Sequence, residues 1–174
     1  MGVRRALAVA VPAAAGLAAA SLLALSGPAQ ATTPACGNSS LSVSATPAQG
    51  ATGHGSFVLL FKNTSAATCT IYGYPGLDGL NSSGHAIAHA ARTLSGFAGG
   101  SPSGIHTVSV APSQWASATV EWMNFNPVTS GPCTFSASVA TTPANTSHTV
   151  HLNRQVSVCD LQVHPTVAGS TGNG

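Results

Sequence analysis

From Ala116 to Met123 the chain sets Ala116, Ala118, Val120 and Trp122 against Ser117, Thr119, Glu121 and Met123. A period of two marks a strand with one face on a core, because successive side chains of extended backbone point to opposite faces. Leu41, Val43 and Ala45 alternate in the same way with Ser42, Ser44 and Thr46, and Phe57 to Phe61 is an unbroken apolar run fit for a central strand. Shorter runs centre on Cys69 and Ile71, on Val108 and Val110, and on Val150 and Leu152. Phe57, Leu59, Phe61, Val120, Trp122, Phe135 and Val139 are the expected core. After Ala31 no segment carries an apolar period of 3.6 with capping residues over a dozen positions. Short strands punctuated by turns such as Gly73-Tyr74-Pro75-Gly76 predict an all-β chain, an immunoglobulin-like antiparallel β-sandwich.

Two places break the pattern. Val156 and Val158 share one parity, whereas Cys159, Leu161 and Val163 share the other. A regular strand cannot turn both sets to one side, so a β-bulge near Cys159 is expected. Leu80 to Gly104 is rich in Gly, Ala and Ser, and predicts a short strand near Ile87 followed by a long surface loop through Gly99-Gly100. Residues 166–174 read as a flexible C-terminal tail after a single domain over 32–165.

The first 31 residues read as a signal peptide. Arg4 and Arg5 precede an Ala/Leu/Val run from Ala6 to Leu25, and Ala29-Gln30-Ala31 is a small-x-small processing site. This predicts a secreted protein beginning at Thr32, and no later stretch is long and apolar enough to span a bilayer. Charge in the remainder is sparse and balanced: Lys62, Arg92 and Arg154 against Asp78, Glu121 and Asp160. A nucleic-acid partner is excluded on this count, since three basic residues cannot build a phosphate-neutralising patch. Electrostatic steering of charged partners is equally unavailable.

Cys36, Cys69, Cys133 and Cys159 all lie beyond the processing site. Export and an even number argue for two disulfides. Four cysteines allow three pairings, and the tendency of neighbouring strands to pack together favours Cys36–Cys69 with Cys133–Cys159. The wide spacing lacks the close pairs typical of zinc ligands, and no cofactor is implied.

Several of these segments also resemble a known family. Cys36 precedes the Leu41-Ser42-Val43 strand, and Gly53-His54-Gly55 leads into Phe57–Phe61 and Lys62-Asn63-Thr64-Ser65. Cys69-Thr70-Ile71-Tyr72-Gly73-Tyr74-Pro75-Gly76, Val110-Ala111-Pro112, Cys133 and Cys159 follow in order. Over Cys36 to Val163 this is similar to DUF4232, a family of secreted actinobacterial proteins of unknown function. Where that family often has Leu before the proline and Pro-Gly at the turn, this chain has Val110-Ala111 and Pro112-Ser113. The resemblance implies export and a β-sandwich, and carries over no catalytic residue.

Few side chains offer chemistry. His85 and His89 are four apart, but on a strand they would stand about 13 Å from one another, too far to share a metal. No Gly-x-Ser-x-Gly elbow is present, and the three acids are scattered. His54, within Gly-His-Gly, is expected to organise its loop through a ring-to-backbone bond. Tyr72, Tyr74 and Trp115 form a candidate binding surface, with Trp115 at the rim of its strand; the favoured reading of Tyr74 is that it packs under its loop and fixes the Tyr-Pro-Gly-Leu turn. Asn38, Asn63, Asn81 and Asn145 begin Asn-x-Ser/Thr sequons, which in such a chain read as turn residues. The expected function is a secreted, non-catalytic module binding an unknown cell-envelope or extracellular ligand. The alternative is a small secreted hydrolase or inhibitor. A His within hydrogen-bond reach of Asp or Glu in a cleft would favour chemistry.

Overall fold

The computed structural model describes Gly2 and residues 32–174. The signal peptide expected over 1–31, with its processing site, therefore lies outside the described residues, Gly2 apart. Residues 32–174 form one compact unit, and no helix occurs among the described residues.

Thirteen strands follow one another: β1 (Leu41–Ala45), β2 (Gln49–Ala51), β3 (His54–Asn63), β4 (Cys69–Tyr72), β5 (Gly76–Leu80), β6 (Ala86–His89), β7 (Ala91–Arg92), β8 (Thr107–Val110), β9 (Trp115–Met123), β10 (Ser138–Thr142), β11 (Val150–Leu152), β12 (Cys159–Val163) and β13 (Val167–Ala168). The largest sheet runs β1-β3-β9-β12-β7, with β2 beside β3 and β13 beside β9. A second sheet runs β11-β10-β5-β6, and β4 pairs with β8 in a third. The architecture is all-β, but it is not purely antiparallel: β7 pairs parallel to β12. The connection through β8 to β11 carries the chain away from β7 before β12 returns beside it, which leaves the two running in one direction.

The long central pair β3 and β9 sets the register, Phe57 opposite Val120 and Leu59 opposite Ala118. In β3 burial alternates strictly: Phe57, Leu59 and Phe61 face inward, while Val58 and Leu60 are half-buried on the other side. Ala116, Ala118, Val120 and Trp122 continue the inward face on β9. Leu77 and Val139 of the second sheet, and Ile71, Val108 and Val110 of the third, join the same hydrophobic cluster. Each such Phe, Leu or Val contributes on the order of 1.5–3 kcal/mol when fully buried. Gly55 sits opposite Trp122, and a Cβ there would overlap the indole ring. The glycine is what allows the indole to lie flat across β3, where it also meets Phe57 at 5.8 Å between centroids.

Two disulfides close the fold. Cys36–Cys69, with Cα atoms 4.8 Å apart, binds the segment before β1 to β4, where Cys36 N also donates to Thr70 O. Cys133–Cys159, with Cα atoms 5.9 Å apart, ties the loop before β10 to the start of β12. The β12 register against β9 shifts between Cys159 and Gln162, and Asp160 takes φ 50° there. This bulge lets Val156, Leu161 and Val163 all be buried despite their opposed parities.

Three expectations require correction. Phe135 is 46% exposed: its segment touches Ser157 through a single bridge, and Ser136 turns inward to exchange hydrogen bonds with Val156. The glycine-rich loop after β7 does not merely run over the surface, since Gly100 and Ser101 are buried against the large sheet. Residues 166–174 are not a free tail. Val167 and Ala168 pair with Ser117 and Ala116, Gly169 N donates to Trp115 O, and Gly174 N donates to Gly100 O. These residues follow β12 along the same edge of β9, whose open backbone groups they satisfy.

Candidate functional site

The outer face of β9 differs from that of an ordinary half-exposed strand. Ser117, Thr119 and Glu121, expected to face solvent, are all buried. Two segments cover them: the loop over residues 93–104 and the last residues of the chain. Thr119 Oγ1 donates to Gly172 O at 3.0 Å, and Gly172 N donates to Ser117 Oγ at 3.0 Å. Small hydroxyl side chains are what permit this close approach of backbone.

Glu121 is only 3% exposed. Its Oε2 accepts a hydrogen bond from Ala98 N at 2.8 Å, and its Oε1 lies so close over Gly96 that a Cβ there would collide with it. His164, wholly buried, brings Nε2 to 3.4 Å from Glu121 Oε2. The contact is not an aligned hydrogen bond, and Nε2 makes none to any described residue. His164 Nδ1 meets Thr93 O and Thr93 Oγ1, each at 3.1 Å. A carbonyl oxygen only accepts, so Nδ1 carries the proton. Thr93 Oγ1 in turn donates to Gln162 Oε1 at 3.0 Å. Acid, imidazole and hydroxyl thus stand in a row, but the hydroxyl proton points away from the ring. A general base must receive the nucleophile's proton, and this imidazole donates instead. The row fastens the loop to the sheet.

The second acid–imidazole pair is at the surface. His89 Nδ1 lies 2.6 Å from Asp78 Oδ1 across the β5–β6 pairing, with the His89 side chain 79% exposed. Neither residue lines the hollow between Thr107–Ser109 and Thr166–Ala168, nor the two depressions beside the covered strip. His85 N, four residues earlier, is held by Asn81 Oδ1 in a turn. No group of three or more His, Cys, Asp and Glu among the described residues could hold a metal ion.

Beside the covered strip lies an open groove of about 370 Å³. Thr46, Gln49, Ser56 and Val58 line it on one side and Ala98, Thr119, Thr171 and Asn173 on the other. A second depression of about 260 Å³ shares Gln49, Ser56 and Ala98 with it and extends to Gly50, Ala51 and Phe97. No charged side chain lines either. At the far end Phe97 is 54% exposed and tilts against His54, 4.3 Å between ring centroids. His54 therefore joins the β2–β3 turn to the covering loop by ring contact. It does not make the expected ring-to-backbone bond: Nδ1 has no partner among the described residues, and the ring's contact is with Phe97 instead. Phe125, also partly exposed, rests against Gly53 of the same turn.

Tyr72, Tyr74 and Trp115 lie elsewhere and apart. Tyr72 is exposed at the end of β4, where its backbone N donates to Asn145 Oδ1. Tyr74 is half-buried with the Arg92 guanidinium 6.0 Å over its ring. Trp115 is half-buried beneath Lys62, whose Nζ is 5.4 Å from the ring centroid. The ring pairs among the described residues are His54–Phe97 and Phe57–Trp122, so no aromatic contact links these three. Their sequence neighbours gave no signal of the groove, whose residues come from five separate segments. The one legible sign was the glycine-rich stretch before Gly104, which in place covers the outer face of β9.

Fold and site define a disulfide-bonded all-β domain with a neutral groove on the outer face of its main sheet. The chain belongs to the family described as a domain of unknown function, DUF4232, whose family model matches residues 36–169. No curated protein matches the chain, and no solved structure does.

Proposed function

We propose that the chain is an exported, non-catalytic binding module whose ligand, from the cell envelope or the extracellular medium, seats in the groove over β3 and β9. The observation that carries this reading is the construction of the groove. Gln49, Ser56 and Asn173 line it without spending a side-chain donor or acceptor on any described residue, while its walls are fastened by Thr119–Gly172, Ser117–Gly172 and Ala98–Glu121 hydrogen bonds. Held walls and uncommitted polar groups are what a binding site needs, because little ordering cost remains at association. The core shared between sheets supports the immunoglobulin-like sandwich as the frame beneath it. Secretion rests on the Arg4-Arg5 and Ala29-Gln30-Ala31 signal. A hydrolase reading is weaker, since the buried imidazole donates to its hydroxyl neighbour and the exposed one faces no cleft.

The test is retention of envelope and culture-medium components on immobilised protein recovered from a secreting host. A component held by the native chain and lost with Ser56→Tyr, at unchanged melting temperature, is the expected result. Retention that survives Ser56→Tyr, or no retention at all, overturns the reading. N-terminal sequencing of the recovered protein should begin at Thr32; an intact Met1 would contradict export by this signal.

A further inference from the structure

We infer that the ligand of this groove is a neutral oligosaccharide; the inference rests on the binding-module reading and specifies its ligand class. The argument is one of chemical matching. A sugar presents hydroxyl groups at its rim and apolar C–H faces. The groove offers hydroxyl and amide groups from Thr46, Gln49, Ser56, Thr171 and Asn173, interspersed with the apolar surface of Val58 and Ala98. A charged ligand would find no counter-charge there. Lys62 is engaged over Trp115, and Arg154 donates to Ala45 O and Thr46 O rather than lining the opening. Glu121 sits beneath the floor with its Oε2 already accepting from Ala98 N, so it adds no exposed charge.

Phe97 supplies the second half of the match. Its ring stands exposed at the end of the smaller depression and packs tilted against His54. A ring held in this way is a platform for the C–H face of a pyranose, a role for which aromatic side chains lose little conformational freedom. Gly50 and Ala51 beside it add no bulk over the depression. The groove and the depression share three residues, so the site is elongated and suits several linked sugar units rather than one.

The experiment titrates the oxidised protein with maltohexaose, cellohexaose and chitohexaose, and with hexagalacturonate as the charged counterpart, following amide NMR shifts and heat. At least one neutral hexasaccharide should bind at millimolar concentration or below, with shifts centred on Ser56, Ala98 and Asn173. Phe97→Ala should weaken it about tenfold, as loss of an aromatic contact and its buried area implies. Gln49→Ala should weaken it about fivefold, the worth of one hydrogen bond. Tyr72→Ala, on a different part of the surface, should change nothing. Both groove substitutions are at exposed positions, so the fold survives them; an unchanged melting temperature verifies it. Absence of binding by all three neutral sugars, preference for hexagalacturonate, or binding indifferent to Phe97→Ala and Gln49→Ala overturns the inference. If these fail while an envelope component is still lost with Ser56→Tyr, the binding-module reading stands and only the ligand class falls.

Discussion

Asn63 shows how one side chain can hold several segments. It is wholly buried at the end of β3. Its Nδ2 donates to Ala67 O and to Val110 O, each at 2.8 Å, and its Oδ1 accepts from Ser65 N and Ser65 Oγ. The other sequon asparagines serve alike: Asn81 Oδ1 accepts from Ser83 N and His85 N, Asn145 from Tyr72 N, and Asn38 from Ser147 N. Asn63→Ala would take the side-chain donor from the buried Val110 carbonyl and the acceptor from Ser65 N, whereas Ala67 O can keep Ser65 Oγ as a donor. It should cost about 1–3 kcal/mol in urea unfolding, the penalty for one buried group left unsatisfied. A loss under about 0.5 kcal/mol, the level of an ordinary surface change, would show that the turn re-forms without it.

The strands divide into those that build the core and those that cover it. β3 and β9 belong to the first kind, and their inward faces follow from alternation alone. β13 and the residues after it belong to the second: they close the outer edge of β9 and hold the 93–104 loop through Gly100 N to Gly172 O and Gly174 N to Gly100 O. A chain ending at Ala168 loses these bonds together with those of Thr119 and Ser117. Its stability should fall by about 1–3 kcal/mol, because the freed groups gain access to water rather than remaining buried. Amide exchange at Gly100 and Ser101 should accelerate, while protection at Leu59 and Val120 tracks only the global loss. Unchanged exchange at Gly100 would show that the loop stays docked without its partner segment.

The molecule as a whole is stabilised by apolar burial and covalent closure rather than by charge. The two bridges span sequence separations of 33 and 26, and on the chain-entropy account each contributes roughly 3–4 kcal/mol. Reduction should therefore lower the urea midpoint sharply, whereas raising salt from low to near-molar sodium chloride should move it little. Glu121 is buried beside His164 and poorly screened, and the exposed charges are too few for screening to matter. A midpoint that falls steeply with sodium chloride would place more of the stability in surface charge than this structure allows.

Periodicity and turn residues were enough to establish an all-β chain, the inward face of β3 and β9, and the bulge near Cys159, because each is a local consequence of backbone geometry. The cysteine spacing likewise favoured the two bridges found, as neighbours in sequence pack as neighbours here. Alternation could not tell that the other face of β9 is covered. Ser117, Thr119 and Glu121 read as a solvent face, and only the docking of the 93–104 loop and the chain's last residues, both weak in local pattern, buries them. The same distant contacts gather Gln49, Ser56, Ala98, Thr171 and Asn173 around one groove. Local sequence sets which way a strand's side chains point; what comes to lie against the outward ones is decided by segments far away in the chain, and there the tertiary structure alone had the answer.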